Sequence, residues 1–119
     1  MKLNFKQAYL AMINMLDAYY WETKCNDLGA MLGFMSINIF EGDEPTDPAV
    51  WITWKECIGN IIHGKTLSLE QAFQSSVAFL RFYNEQFGFD IKDVIETIIE
   101  ASENDAKWIE GVNKALDPD

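Results

Sequence analysis

The chain has 119 residues, enough for one domain that hides roughly two-thirds of its unfolded surface. Apolar residues make up 49% and aromatic residues 13%, which excludes a disordered chain. A net charge of −10 sets the chain against nucleic-acid phosphates and anionic membrane surfaces, and in favour of a basic partner.

The predicted elements are helices with readable punctuation. Asn4 can cap a first helix running to about Lys24, with Phe5, Tyr9, Met12, Leu16, Tyr19 and Tyr20 at three- and four-residue spacings. Leu10, Ile13 and Trp21 widen its apolar arc, so it belongs at the centre of a bundle. Asn26 or Asp27 can cap a second helix, Leu28 to about Ile39, whose Leu28, Met31, Leu32 and Met35 face the core. Gly29, Gly33 and Ser36 form another stripe. Glycine costs about 1 kcal/mol against alanine in a helix, so the stripe predicts a close neighbour; the alternative is a short or kinked helix.

Residues 40–46 read as a loop. Asp47 then caps a third helix with Pro48 at its first position, where a missing N–H costs nothing. Its stripe is Val50, Trp51, Trp54, Ile58, Ile61 and Ile62, and Gly64 ends it. Ser68 with Gln71 is a capping-box pattern opening a fourth helix, which Gly88 stops. Asp90 caps the last, with Ile91, Val94, Ile95, Ile98 and Ile99 on its apolar stripe. That stripe resumes at Ala106, Ile109, Val112 and Leu116, and Asn104 marks where the helix would divide in two. Ile91–Ile99 has the composition of a strand but the period of a helix, with charged residues filling the gaps. The expected fold is all-α: a single-domain bundle of about five helices over residues 1–119, without internal repeats.

No catalytic constellation is legible. The single histidine, His63, reads as a partner for the last carbonyls of the third helix. Cys25 and Cys57 lie in no metal or redox spacing and read as small apolar residues in a reducing compartment. One histidine and two scattered cysteines build no zinc site, and the 41–47 loop lacks the ligand spacing of an EF-hand. No phosphate loop and no cofactor motif appear. The first residues are interrupted by polar side chains, unlike a secretory signal, and no run is apolar enough to span a membrane. The expected location is the cytoplasm.

The acidity is uneven. Residues 1–47 carry seven acids and three lysines, residues 48–89 three charges of each sign, and residues 90–119 nine acids and three lysines. Asp93, Glu96, Glu100 and Glu103 recur at spacings that line one helix face. With Glu41, Asp43 and Glu44 they form the candidate partner-binding surface, the plainer reading being a solvated face. Trp21, Trp51, Trp54 and Trp108 read mainly as core, with one free to serve as an interface anchor.

Two stretches carry a resemblance. Leu28-Gly29-Ala30-Met31-Leu32-Gly33-Phe34-Met35-Ser36, and Asp47-Pro48-Ala49-Val50-Trp51 followed by Trp54, resemble small bacterial immunity proteins of contact-dependent growth inhibition and related polymorphic-toxin systems. The resemblance implies a cytoplasmic protein without enzymatic activity that binds and neutralises a cognate toxin domain, often a nuclease with a basic cleft. It carries over no inhibitory residue. The alternatives are a generic cytosolic helical interaction or regulatory module, and an enzyme working through carboxylates alone.

Overall fold

The structure is a computed structural model that describes residues 1–36 and 47–117. The described chain runs β1 (Lys2–Asn4), α1 (Phe5–Thr23), α2 (Asn26–Met35), α3 (Pro48–Gly59), β2 (Thr66–Ser68), α4 (Leu69–Gln86), α5 (Lys92–Ala101) and α6 (Ala106–Leu116). It is a mostly helical globule, with six helices among the described residues rather than about five.

The two strands are the departure from an all-helical reading. They pair antiparallel, Lys2 opposite Ser68, Leu3 opposite Leu67 and Asn4 opposite Thr66. Leu3 and Leu67 are both fully buried. Each strand runs straight into a capping box. The Asn4 side chain accepts from the Gln7 N–H while the Gln7 side chain accepts from the Asn4 N–H, and Ser68 and Gln71 do the same. The ribbon therefore sets the first turns of α1 and α4 side by side.

This arrangement corrects the expectation of no internal repeat. Leu3-Asn4-Phe5-Lys6-Gln7-Ala8-Tyr9 and Leu67-Ser68-Leu69-Glu70-Gln71-Ala72-Phe73 are equivalent, and a local two-fold passes between Leu3 and Leu67. Among the described residues three helices follow each strand, and the third of each set opens on a capping aspartate, Asp47 or Asp105. Only Leu, Gln and Ala are identical across the seven positions, too few to register as a repeat without the pairing.

One continuous core joins all the elements. The most extensive helix contact is α1 against α6. There the Asn14 amide donates to the Gly111 carbonyl at 3.1 Å. Tyr9 donates from its hydroxyl to the Met35 carbonyl, and Trp54 from its indole N–H to the Phe5 carbonyl at 3.0 Å. These bonds fasten the end of α2 and the middle of α3 onto α1.

Several boundaries differ from expectation. Cys25, not Asn26 or Asp27, is the N-cap of α2, and its side chain makes no capping bond. The Asp27 carboxylate instead accepts from the Asp90 backbone N–H, tying the start of α2 to the start of α5. Ile91 rather than Asp90 precedes α5. α2 ends at Met35, with Ser36 already extended, short of the expected end at Ile39, which itself lies outside the described residues, as does the 40–46 loop. α3 stops at Gly59, so Ile61 and Ile62 sit in a turn whose N–H groups return to the Ile58 carbonyl.

Candidate interaction surface

α5 is short and strongly two-faced. Val94, Ile95 and Ile98 are buried, while Asp93, Glu96, Thr97 and Glu100 are exposed. Asp93, Glu96 and Glu100 thus share an outward ridge as the spacing predicts. None of their carboxylates forms a hydrogen bond or ion pair among the described residues.

Glu103 does not continue that ridge. The helix ends at Ala101, and Ser102 takes φ 65, ψ −179. A positive φ costs a non-glycine residue of order 1–3 kcal/mol, so the chain is turned sharply here. Glu103 falls half-buried in the connecting turn. The turn also resets the register of α6. Its buried face is Trp108, Gly111, Val112 and Ala115, whereas Ile109 is 44% exposed and Ala106 is exposed. Of the stripe expected to resume at Ala106, Val112 is buried and Leu116 half-buried, while Ala106 and Ile109 face outward. Glu41, Asp43 and Glu44 lie outside the described residues.

Lys107 does not pair with Glu103 at i,i+4. Its ammonium reaches across to α1, 2.8 Å from the Glu22 carboxylate and 4.9 Å from the Tyr19 ring centroid. The bond to Glu22 holds the Lys107 pKa above its ordinary value. Tyr19 is raised by burial and then by Asp105 nearby.

The other groups weighed for chemistry take up structural places. His63 is exposed in the bend after α3 and, among the described residues, forms no hydrogen bond to the helical carbonyls it was expected to meet. Cys57 is buried, and burial pushes its thiol up to about 11, away from thiolate chemistry. Cys25 is half-buried and its thiol approaches the Asp90 carbonyl at 3.6 Å. Trp54 and Trp108 are core and Trp51 is half-buried, but Trp21 is 64% exposed. The Lys24 ammonium lies 3.9 Å over the Trp21 ring, a cation–π contact at the end of α1. Among the described residues, no group of His, Cys, Asp and Glu could hold a metal ion, and no helix is long and apolar enough to cross a membrane.

A second surface was not read from the sequence. Gly88, at φ +70, turns the chain after α4 so that Phe87 and Phe89 return to Tyr83. Phe87 stacks on Tyr83 at 5.1 Å, and Phe34 of α2 meets both Tyr83 and Phe89 at 5.6 and 5.7 Å. With Asp47 and Ala49 at the start of α3 these rings line an open groove of about 300 Å³. The available signal was Phe87-Gly88-Phe89, two aromatics about a turn glycine.

No protein-family model, no curated protein and no solved structure matches this chain.

Proposed function

We propose that this chain is an immunity protein acting in the cytoplasm: it binds and neutralises a cognate bacterial toxin domain, most naturally a basic nuclease, without enzymatic activity of its own. The observation that supports this is the unpaired carboxylate ridge Asp93, Glu96 and Glu100 on the exposed face of α5. Like charges one turn apart repel by about 0.2–0.5 kcal/mol a pair, and a basic surface laid over them turns that repulsion into attraction. The same field speeds encounter with a basic partner and selects against acidic ones.

Co-expression with the toxin domain encoded beside its gene is the direct test. Restored growth is expected, together with a stoichiometric complex that weakens as ionic strength rises. Glu96→Lys combined with Glu100→Lys should weaken that complex by about tenfold or more, from lost and reversed charge pairs. Helicity should be unchanged, because Glu and Lys have similar helix propensities. Absence of rescue overturns the immunity reading. A complex that forms without rescuing growth favours the alternative, an interaction module. Unchanged affinity in the double variant removes α5 from the interface.

A further inference from the structure

The groove between α2, the start of α3 and the end of α4 is built unlike an ordinary surface depression. Its walls are ring faces and edges: Phe34, Tyr83, Phe87 and Phe89. Tyr83 is nearly buried, but Phe87 is 61% exposed and is held by stacking on Tyr83 and by an edge contact with Phe82. At the rim stands Asp47, whose side chain accepts from the Ala49 N–H at 3.0 Å. One carboxylate oxygen is used in that cap, and the other has no partner among the described residues.

Aromatic faces carry negative quadrupole potential and attract cations within about 6 Å of the ring centre. A carboxylate at the mouth adds full negative charge. A neutral apolar side chain seated here would desolvate Asp47 without compensating it. A long cationic side chain satisfies both features, because its methylene stem lies against the rings while its charged head meets the carboxylate. Guanidinium suits this best, since it is planar, weakly hydrated and stacks on aromatic faces. Among the described residues, no lysine or arginine lines the groove.

We propose that this groove is a binding site for a cationic side chain, arginine above lysine, presented by a basic protein partner. It rests on the immunity reading only for the source of that side chain. The site itself is tested without any partner.

The probe is N-acetyl-argininamide, titrated into the full chain and followed by amide and aromatic NMR shifts. The neutral control is N-acetyl-leucinamide. Saturable shifts confined to Phe34, Ala49, Tyr83, Phe87 and Phe89 are expected with the arginine probe and not with the control. Two variants guard against unfolding. Asp47→Asn keeps a good N-cap while removing the charge, and Phe87→Ala removes a largely exposed ring. Each should weaken arginine binding by about fivefold or more, from loss of the carboxylate or of a cation–π face. Equal binding of the leucine probe would overturn the proposal in favour of a merely apolar groove. Absence of saturable shifts with the arginine probe, or full binding by Asp47→Asn, would overturn it as well. A failed growth rescue would leave these titrations untouched, so the two readings fail separately.

Discussion

Gly111 lies where α6 crosses α1, and a Cβ there would sit 2.8 Å from the Ala11 carbonyl oxygen and 3.2 Å from the Met15 nitrogen. Both are backbone atoms of α1, so neither can swing aside. Gly111→Ala should therefore destabilise the chain by about 1–3 kcal/mol as the two helices are forced apart. Gly33 is the contrasting case, since a Cβ there meets nothing within 4 Å. Gly33→Ala should stabilise by about 1 kcal/mol through helix propensity alone. Urea unfolding of the two variants checks both signs. The glycine stripe of α2 was legible as a sign of close approach, and Gly29 does meet the Tyr20 ring, where a Cβ would lie 2.7 Å from the nearest ring carbon. Gly33 belongs to the stripe by spacing but not by contact. Gly111 was passed over because spacing shows which face a residue occupies and not which backbone lies opposite it.

At the scale of elements, the starts of α1, α3 and α4 were legible, while the caps of α2 and α5 fall at Cys25 and Ile91 beside the expected residues. The boxes Asn4/Gln7 and Ser68/Gln71 and the caps Asp47 and Asp105 each satisfy an N–H that the helix leaves open, using side chains two or three residues away. Such signals are local. Ser68→Ala should lower stability by about 1 kcal/mol, visible as a reduced thermal midpoint with native helicity retained. The division of the last helical segment was foreseen near Asn104 and falls at Ser102, with no glycine or proline to mark it. Because that turn shifts the register, three of the four expected ridge acids lie together on α5 and the fourth, Glu103, does not. The strands were not expected because three residues are too few to show an alternating pattern.

Across the whole molecule, packing moves several proton equilibria the same way. Burial raises Tyr9 most strongly, and it also raises Tyr83, Tyr19 and Cys57. Lys107 is raised by Glu22. Each group keeps its proton longer in the folded chain than in the unfolded one. Their contribution is therefore fully present below the unfolded values, 9.0 for the thiol and 10.0 for the phenols, and is lost as pH rises through the folded ones. The urea midpoint should fall steadily above about pH 9, with the buried Cys57 and Tyr9 each adding up to about 1.4 kcal/mol per pH unit. Tyr9→Phe should flatten that slope, while lowering stability at neutral pH through loss of the bond to the Met35 carbonyl. A midpoint independent of pH between 9 and 11 would contradict the assignment. In each half an aromatic ring of the long helix meets a tryptophan of the third helix, though at different distances along the chain from the capping aspartate. Tyr9 meets Trp54 at 5.9 Å and Phe73 meets Trp108 at 5.6 Å, while the capping aspartates Asp47 and Asp105 act on Tyr83 and Tyr19.

The sequence by itself determined the helical class, the starts of α1, α3 and α4, the unequal distribution of charge and the outward ridge on α5. All of these follow from interactions between residues a few positions apart, or from composition. Only the tertiary structure decided the pairing of β1 with β2, the repeat that this pairing exposes, the Lys107–Glu22 bridge and the groove formed by Phe34, Tyr83, Phe87, Phe89 and Asp47. Each of these brings together residues tens of positions apart, and helical period fixes a residue's face without fixing what is packed against it.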